Sequence, residues 1–496
     1  MADVLRRSAL RFGSRTALLF ADRTWTYREL DDAVSRASRA LLDLGLVKGD
    51  RVAAYGKNSD AYLIGFLACA RTGLVHVPIN YNLEGDELAY LLEQSGSRIA
   101  LVDPALAAAV DALDRRPEQV LALRDAPGSL LERSWAGEVP QIDAEVADSD
   151  LVQLLYTSGT TSRPKGAMMT HRALVHEYVS CVLALGCSAD DAPLHPMPLY
   201  HSAGMHVFLM PYLAVGATNH LMEAPDIPEV LRRVEADRIG ALFLAPTVWV
   251  PLSNSADFAT RDLSSLHKAF YGASIMPLPV LQRLQEALPE LGFYNCFGQS
   301  EIGPLATVLG PEEHLDRPES CGRSVLFVEL RVVDDDGADV PPGEMGEVIY
   351  RSPQLCEGYW DDPEATAAAF RDGWFHSGDL VRVDEQGYIT VVDRIKDVIN
   401  TGGVLVASRE VEDALYTHAA VAEAAVIALP HETWIEAVTA VVVLKEDVSP
   451  DELIAHVKGR LAGYKVPKAV HVVDELPRNA SGKLLKRVLR DELVPR

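Results

Sequence analysis

The chain has 496 residues, of which 48% are hydrophobic and 24% are charged, and its formal net charge at pH 7 is −25. This length predicts two or more domains, and the composition is typical of a globular protein rather than a disordered one. The acidic balance argues against binding to the backbone of a nucleic acid, which requires a basic surface.

Neither the cysteines nor the apolar segments indicate an exported or membrane-spanning protein. The six cysteines form no C-x-x-C pair and show no zinc-binding spacing, as expected of reduced thiols. No apolar run reaches the roughly 18 residues that a spanning helix requires, and the first twenty residues lack the cleavage pattern of a secretory signal. We therefore predict a cytoplasmic protein with no membrane span and no nucleic-acid partner.

Up to about residue 350, short apolar strands alternate with amphipathic helices. "RVAAYGK" predicts a strand, "SDAYLIGFLACARTG" a helix and "LVHVPIN" the next strand. The same order recurs in "EVLRRVEADRI" with "GALFLAPT", and in "PVLQRLQEAL" with "GFYNCFG". This alternation predicts βαβ units on a largely parallel sheet. The fold class is therefore α/β, with two stacked βαβ layers.

After about residue 325 the pattern changes. "VELRVVDDDGADVPPGEMGEVIYRS" alternates apolar and polar residues between Gly/Pro turns, which predicts a small antiparallel, barrel-like segment. Beyond "DRIKD" follow roughly 100 residues with strands and helices of their own, enough for a small α+β domain. We place the domain boundary at Lys396, which gives domains 1–395 and 396–496.

The segment "LVQLLYTSGTTSRPKGAMMTH" joins a predicted strand to a loop rich in glycine and hydroxyl groups, Thr157–Gly166. Ligands of α/β sheets bind at the carboxyl ends of strands. Glycines allow close backbone approach, and hydroxyl and N–H groups can surround a phosphate, to which Lys165 would add a positive charge. The loop is not a Walker motif, because its lysine precedes the glycine. On its own, the loop leaves both a linker and an anion site open.

Six further motifs follow the loop in order. They are "PLYHSAG" (Pro198–Gly204), "YGAS" (Tyr271–Ser274), "NCFGQSE" (Asn295–Glu301), "DGWFHSGD" (Asp372–Asp379), "DRIKDVINTGG" (Asp393–Gly403) and "NASGK" (Asn479–Lys483). Together with the loop they resemble the signature set of the adenylate-forming superfamily, which includes acyl-CoA synthetases, firefly luciferase and peptide-synthetase adenylation domains. The resemblance runs from "TWTYREL" to "SGKLLKR", almost the whole chain, and is greatest to fatty-acid and other acyl-CoA ligases.

This resemblance implies an enzyme that acts in two steps and uses ATP, Mg²⁺ and coenzyme A. A hydrophobic carboxylic acid attacks the α-phosphate of ATP to give acyl-AMP and pyrophosphate, and a thiol then displaces AMP. Because two anions must meet, positive charge has to be concentrated at the phosphate. Two alternatives stay open: a ligase that delivers the acyl group to a carrier protein or a partner, and an inactive ATP-binding regulatory protein. Self-association is also open.

The resemblance further implies which residues contact the nucleotide. The phosphate loop is Thr157, Ser158, Gly159, Thr160, Thr161 and Lys165; the residues near the base and phosphates are Gly272, Ala273, Ser274, Asn295, Phe297, Gly298 and Ser300. Glu301 corresponds to the Mg²⁺ ligand, a hard oxygen donor for a hard cation. Asp379 corresponds to the carboxylate that accepts the ribose hydroxyls, and Arg394 to a catalytic residue that contacts the ribose or phosphate beside it. Ser300 and Phe297 stand where the superfamily usually has Thr and Tyr.

The remaining implied roles concern the acid, the thiol and domain rotation. The acyl pocket is formed by His201, Val207, Gly272 and Gly298, with His201, which the resemblance also counts among the catalytic residues, at its mouth. Lys483 corresponds to the catalytic lysine that bridges the carboxylate and the α-phosphate, and Lys396 to the hinge of the small domain. Gly402 and Gly403 would line the coenzyme A tunnel. The following Val404–Ser408 departs from the usual Glu-Asn-Val-Tyr-Pro, which makes the thiol acceptor less certain than the adenylation.

Overall fold

A computed structural model describes residues 1, 3–135, 137–157, 163–274, 276–431, 433–478 and 484–493. Its α-helices are α1 Val4–Phe12, α2 Tyr27–Asp43, α3 Asp60–Thr72, α4 Gly85–Ser95, α5 Ala107–Asp111, α6 Leu130–Trp135, α7 His171–Ala184, α8 Met210–Val215, α9 Ile227–Ala236, α10 Pro246–Asn254, α11 Leu278–Ala287, α12 Pro363–Ala369, α13 Ser408–Tyr416, α14 Pro450–Lys458 and α15 Lys486–Leu493.

The strands lie within the same described ranges. They are β1 Thr16–Phe20, β2 Arg23–Thr26, β3 Arg51–Tyr55, β4 Val75–Ile79, β5 Ser97–Val102, β6 Gln119–Ala122, β7 Leu151–Thr157, β8 Lys165–Thr170, β9 Pro193–His195, β10 Asn219–Leu221, β11 Ala241–Phe243, β12 Lys268–Gly272, β13 Gly292–Phe297, β14 Thr307–Leu309, β15 Arg323–Ser324, β16 Glu329–Val333, β17 Met345–Arg351, β18 Phe370–Arg371, β19 Trp374–Val383, β20 Ile389–Arg394, β21 Ile399–Thr401, β22 Val404–Val406, β23 Val421–His431, β24 Ile435–Leu444 and β25 Ala469–Val472.

The chain divides into two compact units. The first, larger unit is Met1–Thr157, Pro164–Leu330 and Tyr350–Phe375. The second, smaller unit contains Arg331–Ile349 and His376–Arg496. The placement of a hinge at Lys396 stays a prediction.

The larger unit contains two sheets. One has nine strands in the order β15–β14–β13–β12–β11–β9–β10–β1–β2, and the other has six in the order β6–β5–β3–β4–β7–β8. Pairs such as β12–β13 and β3–β4 are parallel, whereas the hairpin β7–β8 is antiparallel. The α/β prediction with parallel βαβ units is therefore confirmed.

One apolar core contains side chains from both of these sheets. Leu18 of β1, Val52 of β3 and Val152 of β7 share it with Phe66 of α3, among others. Helix α3 begins where the Ser59 hydroxyl accepts the backbone N–H of Tyr62, a cap that satisfies an otherwise unpaired donor. Almost every residue of α3 is buried, so this helix packs on all sides, as the apolar run "AYLIGFLACA" indicates.

The barrel-like segment is also present. Strands β16, β17, β19 and β18 form a sheet in that order, and β20 pairs with β19. The pairs β18–β19 and β19–β20 are antiparallel, as the alternation of apolar and polar residues predicts. This half-barrel places Asp379 and Arg394 opposite each other on β19 and β20.

The last hundred or so residues form the predicted α+β arrangement. Their sheet has the order β22–β21–β24–β23, with β25 parallel to β24. Val411 of α13, Val426 of β23, Val438 of β24 and Leu453 of α14 lie in one buried core. No helix in the described ranges is long and apolar enough to cross a membrane, and all six cysteines are free and buried.

Candidate functional site

The hairpin β7–β8 fixes the two ends of the glycine-rich loop. Thr157, the last residue of β7, pairs directly with Lys165, the first residue of β8. Val152, Leu154 and Leu155 of β7 are buried, so the loop begins at the carboxyl end of a core strand. The predicted phosphate-loop residues Ser158, Gly159, Thr160 and Thr161 lie outside the described residues.

Glu301 is a buried carboxylate next to this hairpin. It lies in a short 3₁₀ turn, Ser300–Ile302, directly after β13, and is 7% exposed. Its Oε1 accepts the hydroxyl of Thr157 at 3.2 Å and the hydroxyl of Tyr359 at 3.0 Å. The Lys165 ammonium lies 5.3 Å from the centre of the Tyr359 ring. Thr157, Lys165 and Glu301, all predicted from the sequence, therefore meet around one tyrosine.

Tyr359 was missed by the sequence analysis. It lies in "GYW", between β17 and β18 of the half-barrel, in a stretch that none of the signature motifs covers. Burial raises its pKa well above the usual value, and the nearby charge of Glu301 raises it further, so its hydroxyl remains a donor at any working pH. The aromatic pair Tyr359–Trp360, which follows Gly358, is a local signal in the sequence. Nothing in this pair points to Glu301.

The donors at this point suit a magnesium ion. The carboxylate of Glu301 and the hydroxyl of Thr157 are hard oxygen donors, which Mg²⁺ prefers, and the ion usually takes its remaining ligands from water and phosphate. Within the described ranges, no group of three or more His, Cys, Asp or Glu residues could hold a metal by protein ligands alone. The residues present therefore fit an ion shared with a phosphate-bearing substrate.

The carboxyl ends of β12 and β13 lie side by side in the same sheet. Gly272 pairs with Cys296 across them, and a Cβ built on Gly272 would lie 2.2 Å from the Cys296 carbonyl oxygen. A side chain at Gly272 is therefore excluded, which leaves bare backbone at this edge. The other predicted residues here are Ala273, Ser274, Asn295, Phe297 and Gly298; the first two are exposed and the last three half-buried.

Of the residues predicted to contact the acid, His201 lies in a loop and Val207 lies in the short helix that follows it. His201 is exposed and its Nδ1 accepts the backbone N–H of Ala203 at 3.3 Å. Val207 is buried in a π-helix, Ala203–Leu209. The hydroxyl of Ser300, predicted to contact phosphate, lies 2.9 Å from the hydroxyl of Ser202, so the loop of His201 is joined to the turn of Glu301.

The smaller unit carries the predicted ribose carboxylate. Asp379 is 4% exposed, and its Oδ1 lies 2.7 Å from Nε of Arg394. The same guanidinium donates from Nη1 to the Ser377 carbonyl at 3.2 Å. Strand pairing and this ion pair therefore bring Asp379 and Arg394 together.

The predicted hinge lies between two buried carboxylates that the sequence analysis missed. Lys396 is exposed in a 3₁₀ turn, Ile395–Asp397. On one side Asp393 accepts the N–H and hydroxyl of Ser408 at 2.6 and 2.8 Å. On the other side Asp397 pairs with Arg490 at 2.7 Å. Lys396 therefore lies between two carboxylates with fixed partners, and its role as a hinge stays a prediction.

The glycine pair predicted for the coenzyme A tunnel lies in the turn between β21 and β22. Gly402 donates its N–H to the Trp434 carbonyl at 2.6 Å, and Gly403 donates to Oδ1 of Asn400 at 3.0 Å. Lys483, the predicted catalytic lysine, lies outside the part of the chain that the structure describes.

Comparison with known proteins identifies the family to which this chain belongs. A family model described as "AMP-binding enzyme" matches residues 5–360, and one described as "AMP-binding enzyme C-terminal domain" matches residues 410–483. The chain is 38% identical to a feruloyl-CoA synthase of Amycolatopsis sp. over 96% of this chain and 95% of the relative. It is 35% identical to an indoleacetate–CoA ligase of Aromatoleum aromaticum over 97% of this chain and 96% of the relative.

A solved structure shows the same similarity. The o-succinylbenzoate coenzyme A synthetase of Bacillus subtilis, in complex with ATP and magnesium ion, has a TM-score of 0.88 and 30% identity, covering 99% of both chains. The same enzyme in complex with its acyl-adenylate intermediate has a TM-score of 0.89 at 30% identity, covering 99% of this chain and 98% of that one.

Proposed function

The chain belongs to the AMP-binding enzyme family and is an AMP-forming acid–thiol ligase, and we propose that it prefers aryl-substituted hydrophobic acids over straight-chain ones. In the first step a carboxylate oxygen attacks the α-phosphorus of ATP, and pyrophosphate leaves. In the second step the thiol of coenzyme A attacks the acyl carbonyl, and AMP leaves with the bridging oxygen. Bound Mg²⁺ neutralises phosphate charge in such reactions.

The arrangement around Glu301 is the single observation that best supports this function. A buried carboxylate with two hydroxyl donors lies beside Lys165 at the base of the glycine-rich loop. We assign Glu301 to the metal ion, and Thr157, Lys165 and the loop residues 158–161 to the β- and γ-phosphates. In a site that excludes water, such fixed charges stabilise charge on phosphate more strongly than they would in water.

The other nucleotide contacts are proposals of the same kind. We assign the edge formed by Gly272, Ala273, Ser274, Asn295, Phe297 and Gly298 to the base, with Phe297 stacking on it. Ser300 would contact phosphate. Asp379 would accept the ribose hydroxyls while Arg394 holds it in place. Lys483 would bridge the acid and the α-phosphate, Lys396 would act as the hinge, and Gly402 and Gly403 would line the coenzyme A path.

Aromatic packing beside Val207 supports the preference for aryl acids. Phe208 stacks on Phe243 with ring centres 4.2 Å apart, and it lies 5.1 Å from the ring of Phe270. Phe270 precedes Gly272 on β12 by two residues. We propose that these buried rings back the acyl pocket on the Val207 side, where a flat ring would pack in an offset or edge-on manner. The names of two similar relatives, which specify feruloyl and indoleacetate substrates, point the same way.

A panel of acids scored in two ways tests the proposal. Aryl-propenoic, aryl-acetic, medium-chain and long-chain acids are each assayed for pyrophosphate release and for the coenzyme A thioester. We expect both products with at least one aryl acid, and a kcat/KM for it about tenfold or more above that for straight-chain acids, the discrimination that apolar contacts supply. Pyrophosphate without thioester would indicate a carrier-protein acceptor, and no product with any acid would indicate an inactive nucleotide-binding protein.

Substituting Asp379 tests the ribose assignment. Asp379→Asn leaves one acceptor oxygen where the carboxylate has two, so we expect the KM for ATP to rise about 10-fold or more, as for the loss of a charged hydrogen bond. 2′-Deoxy-ATP provides the control. The wild type should discriminate against it, whereas the variant should have lost most of that discrimination. An equal ATP/2′-deoxy-ATP ratio in both proteins would contradict the assignment.

Location and assembly are also proposals. Six free, buried cysteines support a reducing, cytoplasmic setting. Self-association stays a prediction that light scattering coupled to size-exclusion chromatography would check.

A further inference from the structure

A fully buried carboxylate lies beneath the turn that carries Glu301. Glu177 of α7 has no exposed surface. Its Oε1 accepts the backbone N–H of Leu305 at 2.9 Å and the thiol of Cys181 at 3.3 Å. Leu305 is four residues beyond Glu301, so Glu177 contacts the far end of the same turn. None of the signature motifs includes Glu177.

A buried glutamine contacts both Glu177 and this turn. Gln354 donates from Nε2 to Oε2 of Glu177 at 2.5 Å, and the same nitrogen lies 3.2 Å from the carbonyl oxygens of Ile302 and Leu305. Its Oε1 accepts the hydroxyl of Ser180 at 2.6 Å. With three acceptors around the nitrogen and a donor at the oxygen, the amide has one satisfactory orientation.

The turn passes so close to Glu177 that only glycine fits. A Cβ built on Gly303 would lie 2.7 Å from Oε2 of Glu177, and Gly303 has a φ of +111°, which favours glycine. Two residues after Gln354, the N–H of Cys356 donates to the Glu301 carbonyl at 2.8 Å. The backbone around Glu301 is therefore held at both ends by buried polar groups.

Burying the carboxylate of Glu177 costs free energy that an apolar side chain in the same place would not cost. Burial raises the pKa of Glu177, while the hydrogen bonds from Leu305 and Cys181 act in the opposite direction and favour the carboxylate, whose two oxygens both face donors. An apolar side chain on α7 could fill the space without this penalty, since a buried carboxyl group must recover its lost hydration from its partners. All of the partners recorded for Glu177 lie in the Glu301 turn, in Gln354 or on α7 itself.

We propose that Glu177 is a positioning residue for the adenylation step, which with Gln354 fixes the turn 301–305 and so sets where the Glu301 carboxylate lies. This inference rests on the proposed role of Glu301 in binding the metal–nucleotide complex. Glu177 itself would not touch the nucleotide. It acts by keeping the Glu301 carboxylate in the one place where Thr157 and Tyr359 can both donate to it.

Glu177→Gln is the test, because it keeps the shape but has one acceptor oxygen instead of two. Its NH₂ must face either the Leu305 N–H or the Gln354 NH₂, so one donor loses its partner. We expect the affinity for MgATP, measured calorimetrically without acid, to fall about 5- to 10-fold, as for the loss of one buried hydrogen bond. ATP binding in EDTA and the KM for the acid should change less than about twofold. Hydrogen exchange at the amides of the turn 301–305 should accelerate about tenfold, because either orientation removes one of the two contacts that hold this turn.

Asp60→Asn is the matched control. Asp60 is another fully buried carboxylate, held by Arg23 and Trp25, away from the Glu301 turn. This variant should lose stability without changing the MgATP-to-ATP affinity ratio. If Glu177→Gln lowers stability in the same way and leaves that ratio unchanged, its role is structural only and the proposal is overturned.

Two further variants keep the test decisive. If Glu177→Gln does not fold, Ser180→Ala loosens Gln354 more gently and should weaken MgATP binding about two- to threefold; no change there would count against the proposal. Glu301→Gln separates the two hypotheses. If it lowers the affinity for MgATP and Glu177→Gln does not, only the positioning role fails. If neither variant alters MgATP binding, the assignment of Glu301 to the metal fails with it.

Discussion

Glu301→Gln is expected to slow acyl-adenylate formation about 10²- to 10³-fold, the effect of losing one preorganised charged group. The amide is nearly the same size as the carboxylate, and its oxygen can still accept the hydroxyls of Thr157 and Tyr359. The substitution therefore removes the negative charge that would bind Mg²⁺ and little else. Pyrophosphate release at saturating ATP and acid, followed across a Mg²⁺ titration, measures the effect, and half-saturation should move to higher Mg²⁺.

Tyr359→Phe is the control for that substitution. It removes one hydroxyl donor to Glu301 and keeps the carboxylate and the ring beside Lys165. We expect a loss of about two- to tenfold, the usual effect of one hydrogen bond, with a smaller shift in Mg²⁺ dependence. Glu301→Gln acting no more strongly than Tyr359→Phe would show that the charge at position 301 is not needed.

Lys483→Ala is expected to slow adenylation by about 10²- to 10³-fold as well, while thioester formation from supplied acyl-AMP stays near the wild-type rate. The reason is electrostatic. In the first half-reaction a carboxylate approaches a phosphate, and an ammonium near both reduces their repulsion. In the second half-reaction a thiol attacks a carbonyl, and that need is absent. Single-turnover measurements of each half-reaction provide the comparison.

Lys458→Ala is a suitable control for the lysine substitution. Lys458 is exposed at the end of α14 in the same unit, so its loss changes the net charge equally. Both half-reactions should be unaffected. An equal loss of both half-reactions in Lys483→Ala would contradict the assigned role, since it would point to damage of the fold or of nucleotide binding in general.

The elements and the main candidate residues could be predicted because their signals are local. Thr157 and Lys165 belong to one hairpin loop, and Glu301 ends one strand-turn motif. Each of them lies in a motif of consecutive residues, and these motifs follow one another along the chain in an order known from the superfamily. The alternation of strands and helices likewise depends on side-chain spacing over short windows.

The supporting residues could not be predicted because they act through contacts that are distant in the sequence. Tyr359 is 58 residues from its partner Glu301, and Gln354 is 177 residues from Glu177. In the sequence, Glu177 is one acidic residue in a helix, and its burial becomes evident only when α7 packs under the turn at 301–305. Exposed glutamates are far more common than buried ones, so no pattern would have singled it out.

Ser408 shows how a departure from a family pattern can be explained only by structure. The segment Val404–Ser408 lacks the usual residues, which makes the thiol acceptor less certain than the adenylation. In the fold, Ser408 begins α13, and the Asp393 carboxylate accepts both its N–H and its hydroxyl. A carboxylate at a helix amino terminus is stabilising. At this position the serine therefore joins the start of α13 to Asp393, three residues before Lys396.

The most direct measurement follows an oxygen label from the acid. With an acid from the panel labelled with ¹⁸O at both carboxyl oxygens, the reaction is run to completion and the products are analysed by mass spectrometry. Attack of the carboxylate on the α-phosphorus predicts one ¹⁸O in AMP and none in pyrophosphate, because AMP leaves with the bridging oxygen. Label in inorganic phosphate together with ADP, or AMP without label, would contradict the account.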